Sequence, residues 1–538
     1  MPAKLNIPIP SKGLVIDRPA EYVDERAAYN IRNMEFNRNI IRKRSGSSLL
    51  GASLNERVMK LFELQVGTAN RFMRVGLTLV EDFNKSTNIW SDITGTTLTG
   101  TEDDQISVGF PLLAAEKIAV FTNGIDALRK VAITGNVQLL GGTPPISKYV
   151  RAFGPYLVLA HITTGGNTYY SRVQWSDTGD CETWSGGNAG STDLLEDPED
   201  ITGMGIFGNF LTVHKKSSIY LGQLVTTSDV FRFDRKSTGV GCVAEATISN
   251  IPSGEQIFLG TDGIHLFNGI TAPLIDSPIQ DELRETINPG VVGRSNAVYV
   301  DELDEFWVSV PIGSDTEPST IYKYNWRTRQ IYRDDRPNCT AMSLYLNTSS
   351  TTWDSAVGTW DSQVKRWDSS DALSLNKVIA FGDANGITHK RESGATSDGT
   401  TAIDALWETK EFTATDFGIT DIDTMMRWTG LELWALGNSF DVSYSTDNGN
   451  SWTSVGTVSL TSYYPQDSAP INVYFDVVSS SIRFRFTNTA ENQVFTIKKY
   501  QIDANPRESR RCRNFRSQTS PHCLRSRSTS CGRSTRTF

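Results

Sequence analysis

At 538 residues, with 38 % hydrophobic and 10 % aromatic positions, the chain is too long for one ordinary core and too apolar to be disordered, so two or three domains are expected. The net charge of −9 is unevenly spread: residues 507–538 contain nine Arg and one Glu, so residues 1–506 carry −17, which argues against a basic surface for gripping nucleic acid. The longest apolar runs, such as Tyr156-Leu157-Val158-Leu159-Ala160, are strand-sized against the ~20 residues of a membrane-spanning helix, and the opening MPAKLNIPIP lacks the apolar stretch of a secretory signal.

With 43 Gly, and turn-forming Asn, Asp, Ser and Thr along its whole length, the chain reads as nearly all-β, many short strands joined by tight turns. Residues 1–50 form a self-contained lead-in segment, in which short alternating strands around a turn suggest a hairpin. From 51 to 400 one unit recurs, an apolar strand, a Gly-bearing turn and a second apolar strand. It appears at Ile118-Ala119-Val120-Phe121 with Asn123-Gly124, at Ile257-Phe258-Leu259 with Asp262-Gly263 and Ile264-His265-Leu266-Phe267, and at Val378-Ile379-Ala380-Phe381 with Asn385-Gly386. Residues 210–213 with 219–221, and 306–310 with 321–324, are related pairs. Asn-Gly and Asp-Gly supply the positive φ of two-residue hairpin turns. The spacing of the units predicts a β-propeller of six or seven blades.

One short helix is predicted over 281–287, with Ser277 as its cap, Pro278 in its first turn and Asn288-Pro289-Gly290 as its stop. Between 403 and 505, Leu431-Glu432-Leu433-Trp434, Phe440-Asp441-Val442-Ser443-Tyr444 and Ile482-Arg483-Phe484-Arg485-Phe486 mostly alternate apolar with polar, as strands with one buried face do. That predicts a C-terminal β-sandwich. After Pro506 the pattern stops. Nine Arg, seven Ser and three Cys without a single Lys predict a disordered tail, or a stretch translated from another reading frame; a basic arm that contacts phosphates is the functional alternative.

Ser445-Thr446-Asp447-Asn448-Gly449-Asn450-Ser451-Trp452 matches the Asp-box pattern S-x-D-x-G-x-x-W, and Ser176-Asp177-Thr178-Gly179 with Thr183-Trp184 is a looser version. The expected physics is local: Ser and Asp oxygens bond the turn's backbone NH groups, Gly takes the left-handed position and Trp packs beneath. Asp boxes occur in sialidases, but as structural hairpins, and the Arg triad and Tyr–Glu pair of a sialidase cannot be assigned here. Trp353-Asp354-Ser355, Trp360-Asp361-Ser362 and Trp367-Asp368-Ser369 recur every seven residues; they read as stacked turns, with sugar binding as the alternative. The clusters Asp193/Glu196/Asp197/Glu199/Asp200 and Asp301/Glu302/Asp304/Glu305 lack EF-hand spacing and read as solvated loop charge. The histidines (161, 214, 265, 389, 522) form no HxH or HxxxH pair, and the cysteines (181, 242, 339, 512, 523, 531) form no CxxC pair, so isolated reduced thiols are expected. Nucleophile-elbow and phosphate-loop signatures are absent from the sequence. No catalytic, cofactor or metal residue is therefore nominated, and the chain is expected not to be an enzyme.

The segment KGLVIDRPAEYVDERAAYNIRNMEFNRNIIRKRSG resembles the opening of short-tailed phage virion proteins. Ser237-Thr238-Gly239-Val240-Gly241-Cys242, followed by Gly260-Thr261-Asp262-Gly263-Ile264-His265-Leu266-Phe267-Asn268-Gly269, is the clearest similarity downstream. Phe153-Gly154-Pro155-Tyr156-Leu157-Val158-Leu159, Val173-Gln174-Trp175-Ser176-Asp177 and the triple Trp-Asp-Ser run add to it. The resemblance, over roughly residues 10–500, is to the tail nozzle or hub proteins of short-tailed bacteriophages, the packaged-DNA-stabilisation type. It implies a β-propeller subunit of a homo-oligomeric ring, six copies by the family pattern. Neighbouring tail proteins (adaptor, fibres or needle) and the passing genomic DNA would be its partners in the virion tail. The Arg/Ser/Cys-rich end departs from that pattern. A receptor- or glycan-binding tail protein is the alternative.

Overall fold

The computed structural model describes residues 3–506 apart from 8, 10, 38–39, 226–229, 276, 348–375, 393 and 461–469. The triple Trp-Asp-Ser run and the Arg-rich tail, with Cys512, Cys523, Cys531 and His522, lie outside the described residues.

Seven small sheets follow one another along the chain, and their first strands are Lys60–Val66, Ser107–Gly109, Ile146–Phe153, Ile201–Phe207, Ser249–Asn250, Asn296–Val300 and Cys339–Asn347. From the second sheet onward these first strands lie side by side in order, and the seventh, Cys339–Asn347, lies against the first, Lys60–Val66. That contact closes a ring whose innermost layer is the first strands. The fold is a β-propeller, and its described blades number seven.

Every neighbouring pair of blades meets through an apolar cluster. Phe62 and Met73 of the first blade pack on Val108 and Phe121 of the second; Val120 and Leu128 meet Leu157 and Leu159; Val158 and Trp175 meet Met204 and Tyr220; Ile219 and Leu221 meet Phe258 and Phe267. Ile257 and Leu259 then meet Phe306 and Val308, and Trp307 and Ile321 meet Ile379 and Phe381. Leu61 and Phe72 complete the circle against Tyr345 and Ala380. Each fully buried side chain of this size contributes ~1.5–3 kcal/mol relative to exposure, so the blade faces dominate the propeller's stability. Cys181, Cys242 and Cys339 are buried free thiols in three of these interfaces, where a thiol acts as a small apolar side chain.

The recurring hairpins form, but their Asn-Gly and Asp-Gly pairs sit in wider loops than two residues. Leu259 faces Ile264 across a four-residue loop, and Gly382 pairs with Thr388. There Asp383 Oδ1 accepts from the N–H of Asn385 (2.9 Å) and of Ile387 (2.7 Å), so a side chain, and not the turn type alone, sets the bend. Two-residue turns that begin with Gly occur elsewhere: Phe153 faces Tyr156 and Phe207 faces Phe210, with Gly154 and Gly208 both at φ +56. The helix spans Gln280–Thr286 after a 3-10 turn at Ser277–Ile279, so Ile279 and not Ser277 holds the cap position, without a side-chain capping bond.

The segment before residue 50 is not a unit of its own. Ala3–Ile7 pairs along Phe495–Pro506, Asn30–Arg32 pairs with Ala405–Glu408, and the Met34–Asn37/Ile40–Lys43 hairpin joins the sheet of Phe495–Pro506, Met426–Gly437 and Ile471–Ser479. A second sheet runs Asn30–Arg32, Ala405–Glu408, Ser481–Asn488, Ser439–Ser445 and Thr453–Ser459. The sandwich is thus built from strands before residue 50 and after residue 403, because Ile7, Ile31, Met34 and Ile41 find their apolar partners in Trp407, Leu431, Phe486 and Tyr500. Ser47–Leu49 then pairs with Thr388–Arg391 in the last blade, so the propeller is closed by a strand that precedes its first blade.

Candidate functional site

The densest set of titratable side chains lies where the sandwich meets the last two blades. The sequence positions them through alternation: Glu35 sits between Met34 and Phe36, Lys323 between Tyr322 and Tyr324, and Arg44 just after the strand Ile40–Lys43. Alternation puts neighbours on opposite faces, and in Thr320–Asn325 both faces are buried, one of them carrying Lys323. Lys323 is 1 % exposed, Arg44 and Asp334 each 4 %.

The charges are matched. Arg44 Nη2 lies 2.6 Å from Asp398 Oδ2, and its Nε donates to Asn33 Oδ1 at 2.9 Å. Lys323 pairs with Asp334 and lies 4.0 Å above the Trp307 ring. Glu35 is held by Arg391 at 2.7 Å and Arg42 at 3.0 Å. Glu305 accepts from Trp307 Nε1 at 2.7 Å and from the Tyr332 hydroxyl. Arg336 donates to Ser47 Oγ at 2.7 Å and stacks on Phe381. Burial opposes the charged form of Glu35, yet Arg391, Lys323 and Arg42 outweigh it and hold the carboxyl at about 2. Asp398, buried too, is brought well below the usual carboxylate range by Arg336 and Arg44. Glu305 moves the other way, because burial outweighs Lys323. A cavity of about 10 Å³ between Arg44, Lys323, Asp334, Arg336 and Arg391 has room for about one water. Such an arrangement acts as a clamp between propeller and sandwich.

A second charged set crosses between non-adjacent parts of the ring. Glu317 lies between Arg57 (2.8 Å) and Arg294 (2.7 Å), and Arg294 reaches Glu102 and Asp103 in the loop before the second blade. Deeper in, Arg151 lies 3.3 Å from Glu245.

The described residues singled out in the sequence make local contacts. In the Asp box, Ser445 Oγ accepts from Gly449 N at 2.9 Å, Asp447 Oδ1 accepts from Ser451 N at 2.9 Å, and Gly449 stands at φ +85. Trp452 closes the turn through Nε1 to the Gly449 carbonyl, with Arg485 3.8 Å over its ring. These hydrogen bonds, from Ser451 above all, bring the Asp447 carboxyl down to about 2. The looser box is also a local turn, with Asp177 Oδ1 accepting from Thr178 N and Asn188 N.

The acidic clusters are solvated in part, with Asp193, Glu196, Asp200, Asp301 and Glu302 exposed, but several of their carboxylates are paired. Asp193 pairs with Arg172, Asp197 with Lys215, and Glu199 accepts from Ser217 N; Asp301 pairs with Lys377 and Asp304 with Arg327. His214 is buried against Phe258 and bonded to Gln256, and burial lowers it to about 4. His265 lies between Asp262 and the Ala272 carbonyl. His389, also lowered to about 4 by burial, and His161 lie on separate blades. Among the described residues, no group of three His, Cys, Asp or Glu is placed to hold a metal ion. No described helix is long and apolar enough to cross a membrane.

One cleft, of about 610 Å³, opens between the third and fourth blades, lined by Phe153, Ile206, Phe210 and Leu224 with Asn209 and Gln223. Neither the cleft nor the clamp was nominated from sequence. Lone charges inside apolar strand patterns were the signal for the clamp, and the paired Phe-Gly turns, Phe153-Gly154 and Phe207-Gly208, were the signal for the cleft.

No family model matches the chain, and no curated protein sequence matches it. Among solved structures it is similar to Raptor of Chaetomium thermophilum, at 10 % identity and TM-score 0.39 over 65 % of this chain and 29 % of that one. It is also similar to BamB of Moraxella catarrhalis, at 12 % identity and TM-score 0.32 over 64 % of this chain and 98 % of that one. This chain thus spans under a third of the Raptor chain.

Proposed function

We propose that the chain is a structural subunit of a short-tailed bacteriophage tail, one of a ring of copies in the nozzle or hub through which the genome leaves the virion. The observation that carries this reading is the interlocking of strands far apart in the chain: Ala3–Ile7 is zipped along Phe495–Pro506, and Ser47–Leu49 closes the last blade. A body whose first and last described strands are mutually paired cannot fray from either of them without breaking a sheet, which suits a part that bears load. The charge matching at the clamp fits the same role, since it leaves those side chains committed to each other. The sequence resemblance to nozzle proteins supports the reading, and the −17 of residues 1–506 would give DNA a wall it does not adhere to.

On this reading the protein turns over no substrate, and adaptor and fibre or needle proteins are its neighbours in the virion. The receptor- or glycan-binding alternative would use Trp353, Trp360 and Trp367, which lie outside the described residues, together with the sandwich as its binding surface. Cryo-electron microscopy of the assembled particle tests the proposal. Density for the propeller–sandwich body in a ring on the tail axis is expected; the same body at a peripheral fibre position would overturn it.

A further inference from the structure

Two cations and one carboxylate meet at the axis of the propeller. Lys60 begins the innermost strand of the first blade, Lys60–Val66, and Arg151 stands near the end of the innermost strand of the third, Ile146–Phe153. Glu245 lies in a short turn, Glu245–Thr247, packed against the innermost strands of the fourth and sixth blades. The three groups act on one another electrostatically, and groups from blades so far apart in the ring meet only across its axis. Arg151 Nη2 donates to the Met204 carbonyl at 2.8 Å and lies 3.3 Å from Glu245 Oε1. Its Nε is buried with no hydrogen-bond partner, and among the described residues the Lys60 ammonium has neither a hydrogen bond nor an ion pair. Burial pushes Lys60 below its ordinary value, with Glu245 opposing and Arg151 adding to the push, so water does not fully replace the missing partner. Burial also pushes the Glu245 carboxyl up, against Arg151, which makes it a poor counter-charge for two cations.

We propose that the propeller axis is a binding site for a small oxyanion, held by the Lys60 ammonium and the free Nε–H of Arg151. A buried cation left without a partner is costly, and an anion between the two supplies the missing charge and the missing acceptor together. The oxyanion class follows from the donors. A guanidinium edge matches the oxygens of a phosphate or carboxylate, and an ammonium adds a point charge beside it. A Cβ on Gly203 would stand 3.0 Å from Glu245 Cβ, and one on Gly109 3.2 Å from the Ala152 nitrogen. Inner strands packed too closely for a methyl group at these points suit a small ion and not a nucleic-acid strand. Solvent reaches the site, because the Arg151 side chain is 27 % exposed. The site goes beyond the virion reading and stands or falls without it.

Isothermal titration calorimetry of the full chain at neutral pH is the experiment, on the wild type, Lys60→Met and Lys60→Gln. The titrants are sodium phosphate, sodium acetate and sodium chloride at matched ionic strength. Saturable binding of phosphate or acetate is expected, phosphate marking a tetrahedral oxyanion and acetate a carboxylate, with no saturation by chloride. Both substitutions should weaken it about tenfold or more, as for the loss of one charge-assisted contact. Thermal melting without added oxyanion separates binding from structure. An ammonium without a partner contributes no contact to the fold, so both variants should melt at or above the wild-type temperature. Saturation by neither oxyanion, chloride binding as tightly as either, a variant that binds like the wild type, or variants that melt below it would each overturn the proposal.

Discussion

The blade interfaces and the clamp solve the same problem, joining two pieces of β-structure, with opposite chemistry. Between the second and third blades the contact is built on an apolar cluster, Val120 and Leu128 against Leu157 and Leu159, contributed by strands close in sequence, with the half-buried Lys130–Glu182 pair beside it. Between propeller and sandwich, an apolar cluster continues through Ile31, Phe306 and Tyr332, but beside it lie Arg44, Lys323, Asp334, Glu35 and Arg391, with Arg44 and Asp398 354 residues apart. Apolar burial is non-directional and forgives small misfits. A buried ion pair adds little net stability over an apolar substitute, yet leaving one member unpaired is costly. The blades accordingly supply the stability, and the clamp determines which surfaces of propeller and sandwich meet.

Arg44→Ala gives the largest expected effect. It removes the 2.6 Å partner of Asp398, which keeps Arg336 and Ser47, and leaves Asp334 to Lys323, so urea unfolding is expected to show a loss of ~3 kcal/mol, the lower end for a broken buried pair. Val120→Ala, a truncation in a blade interface, is expected to cost ~1–3 kcal/mol. If the valine change proves the costlier of the two, the contrast fails. Gly386→Ala should fall in the range of the valine change. Gly386 stands at φ +82, and a Cβ there would lie 2.6 Å from the Glu56 carbonyl oxygen, so strain and collision add to ~1–3 kcal/mol.

Acid separates the two regions by pH. Glu35 in the clamp is held at about 2 against an ordinary 4.5. Its contribution is complete above pH 4.5 and is lost as pH falls toward 2, roughly 3 kcal/mol in all. His214, in the interface of the fourth and fifth blades, is lowered by burial to about 4 from 6.5. The unfolded chain then takes up the proton first, so that stability is complete above pH 6.5 and declines toward pH 4 by a similar amount. Stability measured against pH should fall in both windows. His214→Asn should flatten the upper one, leaving the slope of His389, which shares that range. An unchanged upper slope would show that His214 is not held neutral in the fold.

The propeller was legible because its information is local. A hairpin such as Phe306 to Tyr324 carries both strands within twenty residues, and its apolar run declares burial on both faces. The C-terminal strands of the sandwich were legible by alternation. Their N-terminal partners were not: Ala3 faces Ala504, and Lys43 Nζ bonds Asn488 Oδ1 445 residues away, and no local pattern encodes a partner at that distance. The hairpin at Met34–Asn37 and Ile40–Lys43 was visible as a hairpin while its destination was hidden. The acidic runs misled in part, for a related reason: Asp197 looks like loop charge until the fold delivers Lys215, Ser218 and Tyr220 to it.

The smallest expected effect is the most discriminating control. Arg427 and Asp476 make as good a pair as any in the clamp, two parallel contacts of 2.7 and 2.6 Å. Yet their side chains are 57 % and 56 % exposed, on the sandwich sheet strands Met426–Gly437 and Ile471–Ser479. If hydrogen-bond geometry decided the worth of an ion pair, Arg427→Ala would resemble Arg44→Ala. If burial decides it, the arginine leaves behind a carboxylate that water solvates at once, and the urea midpoint barely moves. Salt gives an independent reading of the same point. Added sodium chloride screens an exposed pair and leaves a buried one nearly untouched, so the small Arg427→Ala difference should vanish in high salt while the Arg44→Ala difference persists. An Arg427→Ala variant as damaged as Arg44→Ala, in low and high salt alike, would mean that burial is not what separates the clamp from the surface.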